Sequence, residues 1–195
     1  MEERIRAIRE DARFRAACDV LHAEHGRTME DIIRLTEIPA PPFGEGPRAA
    51  AYLEMLRAHG LEDCAQDEAG NVMGTRRGFG NGEVLVVAAH LDTVFPAGTD
   101  VRVRREGTKL FAPGVGDDTR SLAVNLAFLR AMDGAGIRTR ADILFLGDVG
   151  EEGLGDLRGV RHFFAHHPRR AQVAGFLTVD SPEVAEATGR YLKAR

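Results

Sequence analysis

Short apolar runs with no polar alternation recur along this chain, and each ends at a histidine or a carboxylate. Residues 84–88 are all apolar and three of them are β-branched, which predicts a strand buried on both faces. It runs into His90-Leu91-Asp92-Thr93. A second run, 143–146, leads to Gly147, Asp148, Gly150 and the pair Glu151-Glu152. A third, 175–180, ends on Asp180. Between them lie stretches with helical spacing. Residues 3–24, with Ile5, Ile8, Ala12, Ala16, Val20 and Leu21 on one side, predict a single amphipathic helix, stopped by Gly26. Further helices are predicted over 28–37 with Thr28 as N-cap, 48–59 with Gly60 as stop, 121–132, 157–166 before Pro168, and 182–193. Residues 61–65 and 71–77 read as two strands around Gly70-Asn71, and 101–105 with 109–111 as a hairpin around Gly107. This alternation predicts an α/β fold, three-layer α/β/α, with a largely parallel or mixed sheet.

Bulk properties narrow the possibilities. The 195 residues make one domain or one and a half. A net charge of −4 argues against a nucleic-acid-binding domain, which would be basic. The apolar runs fall far below the roughly 18 residues of a membrane helix, and the charged start MEERIRAIRED is unlike a signal segment. A cytoplasmic location is expected, with Cys18 and Cys64 as ordinary reduced thiols and not nucleophiles.

The acids at the strand ends point to metal chemistry. His90 just past a buried strand supplies a ring nitrogen, and Asp92 two residues on is placed to hold its orientation. The Gly-rich loop APGVGDDTR (112–120) carries Asp117 and Asp118 into a helix. Burying such a set of carboxylates costs free energy unless a cation balances it. A divalent metal, or a pair sharing one carboxylate, removes that cost. Glu151 and Glu152 are adjacent and cannot project the same way from an extended segment, so one is free to bind metal while the other faces a substrate. His22 and His25 suit a helix C-terminus. His162 and His166 share a helix face, but no Glu lies between them as a HExxH site needs, and with His167 they read as surface or partly packed residues.

HLDTV (90–94), APGVGDDTR (112–120), GEEGLGDLRG (150–159), LTVD (177–180) and the rigid loop IPAPPFGE (38–45) together resemble the M20 family of zinc metallopeptidases. Its relatives include carboxypeptidase G-like, aminoacylase, acetylornithine deacetylase and peptidase T-like enzymes. The resemblance covers about residues 28–180. It implies that His90 and Asp180 bind one zinc, that Asp117 bridges two, and that Glu152 binds the second. It also implies Asp92 as a catalytic-site residue hydrogen-bonded to His90, and Glu151 as general base. Two ions are implied, with cobalt or manganese accepted by the same donors. The implied activity is hydrolysis of amide bonds in small peptides or N-acyl amino acids. Where many members carry Lys-Gly after the paired acids, this chain has Thr119-Arg120, a subfamily mark.

The family continues past the counterpart of Asp180 into a lid or dimerisation domain, then a return segment with a final His ligand. The expectation is therefore an incomplete catalytic domain over 1–195 with its N-terminal helix over 1–26. Such a chain would hydrolyse peptides poorly alone and associate through an exposed sheet edge. The last His ligand is expected to be missing, unless His162, His166, His167 or a partner restores it. The alternatives are an inactive metal-binding remnant and a purely structural domain.

Overall fold

The computed structural model describes residues 2–80 and 82–180. Six helices and seven strands follow in order: α1 (Glu2–Glu10), α2 (Ala12–Ala23), α3 (His25–Thr36), α4 (Gly46–Ala58), β1 (Glu62–Gln66), β2 (Val72–Arg76), β3 (Val84–His90), β4 (Arg104–Glu106), β5 (Lys109–Phe111), α5 (Thr119–Gly134), β6 (Asp142–Asp148), α6 (Arg158–His166) and β7 (Val173–Thr178). The helix expected over 182–193 lies outside the described residues.

The main sheet has the order β1-β2-β6-β3-β7. β3 runs parallel to both β6 and β7, while β2 is antiparallel to β6 and to β1. The sheet is thus mixed, with a parallel centre. Its side chains alternate between two cores. Val87 and Ala89 of β3 with Ile143 and Phe145 of β6 join Tyr52, Leu56, Leu122 and Leu126 from α4 and α5. Val84, Val86 and Ala88 with Leu144 and Leu146 meet Phe163 of α6 on the opposite face. Residues on both faces of β3 and β6 are buried, as apolar runs without alternation require. α2 and α3 pack outside α5, giving one thick helical layer and one thin one. β4 and β5 form a separate hairpin.

The N-terminal region departs from expectation. Residues 3–24 are two helices, because Asp11 is extended (φ −63°, ψ 131°) and its carboxylate accepts from the N–H groups of Arg13 and Phe14. An Asx N-cap satisfies two donors that a continuous helix would have paired otherwise. Gly26 does not stop a helix and Thr28 does not cap one, since both lie inside α3. A mid-helix glycine costs only about 1 kcal/mol, which docking against α5 offsets. Among the described residues no helix is long and apolar enough to cross a membrane.

Candidate metal centre

Parallel strands bring their carboxyl ends to one edge, and the edge of β3, β6 and β7 gathers the acids. His90 is the last residue of β3 and pairs in register with Asp148, the last of β6. The corner after His90 is fixed by backbone and buried polar groups. Leu91 N–H donates to Asp148 O at 2.7 Å, and Thr93 N–H to Ala40 O at 3.0 Å. Arg48, fully buried on α4, donates from Nη1 to Leu91 O at 2.7 Å, and from Nη2 and Nε to Ile38 O at 2.8 and 3.1 Å. It clamps the proline-rich loop to the strand end. Burial lowers the Arg48 guanidinium to about 10, opposed by the charge of Asp92, so it remains a cation at neutral pH.

His90 is buried. Its Nδ1 faces the backbone oxygen of Asp92 at 3.0 Å, and its Nε2 lies 2.9 Å from Asp117 Oδ1 and 3.9 Å from Asp180 Oδ1. A carbonyl only accepts, so Nδ1 carries hydrogen and Nε2 is left to face carboxylates. The expected bond between the Asp92 carboxylate and His90 is not formed at bonding distance; Oδ1 stands 3.6 Å from Nδ1. That carboxylate instead accepts from Glu151 N–H at 3.0 Å and Glu152 N–H at 2.9 Å. Fully buried Asp92 therefore ties the corner after β3 to the glutamate pair after β6. Burial pushes its carboxyl up, but His90 and the two N–H groups outweigh this and hold it low.

Two groups of ligand-type atoms, each lying within 4.8 Å of one another, centre on His90: His90, Asp117 and Glu152, and His90, Asp118 and Asp180. The structure thus brings together His90, Asp117, Glu152 and Asp180, with Asp92 behind them and Glu151 half-buried beside them. Asp118 was not singled out as a candidate from sequence, although the Asp-Asp doublet at a loop-to-helix turn marked the place. It is fully buried. Its Oδ2 accepts from His90 N–H at 3.0 Å, and its Oδ1 is buried without a hydrogen-bond partner among the described residues. Burial, with Asp180 nearby, pushes the Asp118 carboxyl up to about 8. Asp148, also buried, is pushed up to about 7 by burial, with Asp92 adding to it. Glu152 is raised by burial and by Asp117. His90 has its basicity opposed by burial, yet Asp117 and Asp92 carry it up to about 11, and the imidazole in turn lowers Asp117.

These observations fit a divalent cation. Several carboxylates and one imidazole nitrogen converge, one buried carboxylate oxygen lacks a partner among the described residues, and Nε2 of His90, the ring nitrogen not turned to Asp92 O, points at carboxylates. Hard carboxylate oxygens with one imidazole suit zinc, cobalt or manganese.

The turn between β6 and α6 presents the glutamates. Asn71 accepts from Val149 N–H at 3.1 Å and donates to Gly159 O at 2.9 Å. A Cβ at Gly159 would lie 2.2 Å from Asn71 Oδ1 and 2.6 Å from Val149 O, so only glycine lets the chain pass this closely. Arg48 and Asn71 escaped sequence reasoning because their partners lie in distant segments. Of the histidines proposed as a last ligand, His162, His166 and His167 line a groove elsewhere, with β1 and β2, and do not join the centre.

The carboxyl ends of the parallel strands thus carry an acid-rich centre around one histidine, the kind of donor set that can hold a divalent ion. The sequence pattern of Peptidase family M20/M25/M40 matches residues 86–191, and the chain belongs to that family. Carboxypeptidase G2 of Pseudomonas sp. (strain RS-16) is 31% identical over 153 residues, covering 74% of this chain and 36% of that protein. Aminopeptidase PepT of Bacillus cereus shares the fold with a TM-score of 0.64 at 20% identity, over 80% of this chain and 43% of that one. The di-peptidase Dug1p of Saccharomyces cerevisiae shares it with a TM-score of 0.67 at 15% identity, over 85% and 40%. The chain therefore spans about a third of the curated relative it matches and less than half of these structures.

Proposed function

We propose that this chain carries the hydrolytic centre of a metal-dependent amide hydrolase acting on small peptides or N-acyl amino acids. The reading rests on family membership and above all on one observation. The two oxygens of Asp92 hold the N–H groups of Glu151 and Glu152 while its backbone oxygen faces His90 Nδ1. One residue thereby sets both the histidine tautomer and the placement of the glutamate pair.

In this reading His90, Asp117, Glu152 and Asp180 would hold two divalent ions. Such ions, when bound, lower the pKa of water and polarise the scissile carbonyl. Glu151 takes the proton of the attacking water and passes it to the leaving nitrogen. Asp92 and Asp118 are positioning residues: the first pins Glu151 and Glu152, the second anchors the backbone of His90. Arg48 fixes the proline-rich loop beside the strand end that carries His90.

Kinetics with dipeptides and N-acetyl amino acids, run beside metal analysis, test the assignment. Glu151→Gln is expected to lower turnover on the order of 10²–10⁴-fold with metal content kept. Glu152→Gln is expected to weaken metal binding instead. Exchanged phenotypes would show that the two roles are reversed; two silent variants would remove the pair from the mechanism.

A further inference from the structure

A groove of about 590 Å³ lies on the α6 face of the sheet beside β1 and β2, and none of the strand-end centre's residues line it. His162 and His166 stand one turn apart on α6, and both face this groove with His167. The His162 and His166 rings are 4.5 Å apart, centre to centre, and tilted by 40°. His167 is otherwise engaged: its ring stacks on Phe163 at 4.5 Å and its Nδ1 accepts from Arg169 N–H at 3.3 Å.

We infer that His162 and His166 form a second metal site, separate from the hydrolytic centre, that takes a borderline divalent transition ion such as Ni²⁺, Cu²⁺ or Zn²⁺. Imidazoles at i and i+4 share a helix face and bridge one ion, as paired helical histidines do in other metal sites. Two metal–nitrogen bonds of about 2.0–2.1 Å separate the nitrogens by roughly 3 Å, within reach of rings this close. The groove's charge favours a cation. Asp67 and Glu68 line it, while Asp63 there is paired with Arg77 and Arg169 with Asp142 at 2.8 Å. Among the described residues no third His, Cys, Asp or Glu brings a ligand atom within 4.8 Å of both rings. Water completes the coordination, and the ion exchanges. Imidazole nitrogen without thiolate selects Cu²⁺, Ni²⁺ and Zn²⁺ over Mg²⁺ or Ca²⁺.

The inference stands apart from the hydrolytic reading, and the test keeps the two distinct. Ni²⁺ is titrated calorimetrically into the full chain carrying His90→Ala, which disables the strand-end centre. The same titration is run with His162→Ala and His166→Ala added, singly and together. His162 is half-buried and His166 exposed, so the fold tolerates both changes, and circular dichroism checks this. Loss of a mere supporting partner of a ligand costs about 10–100-fold in metal affinity. Each single change is therefore expected to weaken Ni²⁺ at least tenfold, and the double change to abolish one equivalent. His167→Ala is expected to leave binding unchanged. With Cu²⁺, the electron paramagnetic resonance spectrum is expected to show coupling to two nitrogens, lost in the double variant. Equal Ni²⁺ affinity and stoichiometry with and without the two histidines overturns the inference, as does loss of binding through His167→Ala alone.

Discussion

At the amino end of β6, Asp142 is held by Arg77 at 2.9 Å and Arg169 at 2.8 Å, and it accepts from Gly78 N–H at 2.8 Å. Burial would raise its carboxyl, but these partners outweigh that and lower it. Arg77 also reaches Glu62 and Asp63. At the carboxyl end of the same strand, Asp148 is followed by Glu151 and Glu152 and lies within the fields of His90, Asp92 and Glu151, with Asp117 and Asp118 around the same histidine. These acids lie around the imidazole of His90, with the buried guanidinium of Arg48 acting on Asp92 and Arg120 acting on Asp117 through their fields. Several of these carboxyls are pushed up, Asp118 to about 8 and Asp148 to about 7, burial being the main cause in each. At one end two arginines pair directly with a single acid, and at the other several acids gather around a histidine. The difference marks the second end as a place for a cation and the first as ordinary surface pairing.

Substitutions separate the two ends by size of effect. Arg48→Met leaves Leu91 O and Ile38 O buried without their donor, which is expected to cost roughly 2–5 kcal/mol in chemical denaturation. A loss below about 1 kcal/mol would mean the clamp is dispensable. Asp92→Ala releases the glutamate N–H groups and is expected to weaken metal binding about 10–100-fold, read by competition with a chromophoric chelator. Unchanged affinity would detach Asp92 from the centre. Arg77→Ala removes a half-exposed hub at the far end. It is expected to change stability by no more than about 1 kcal/mol and to leave metal affinity untouched; a larger effect would erase the contrast between the ends.

Much of this arrangement was legible in the sequence, for physical reasons. Runs 84–88 and 143–146 lack alternation because β3 and β6 are covered on both faces, so their ends were readable as strand termini with His90, Glu151 and Glu152 beyond them. The APGVGDDTR turn entered a helix as its composition implies. What stayed hidden depends on contacts between distant segments. β2 inserts beside β6, which no local pattern encodes. Asp92 looked like the partner of a residue two positions away, yet its carboxylate serves backbone groups 59 and 60 positions on. Arg48 reads as one more polar helix residue until Ile38 and Leu91 are seen around it. Asp11 broke the first helix because a capping side chain competes with the helix for the same N–H groups. Gly26 failed as a stop because tertiary packing overrode its propensity.

Zinc titration on the His162→Ala/His166→Ala chain, with and without His90→Ala, followed by elemental analysis, tests the central claim most directly, because it leaves the strand-end centre as the site being read. The account predicts that zinc binds this chain through His90, Asp117, Glu152 and Asp180, and that adding His90→Ala removes at least one equivalent or weakens it by more than tenfold. Zinc that fails to bind, or that binds equally well without His90, would contradict it.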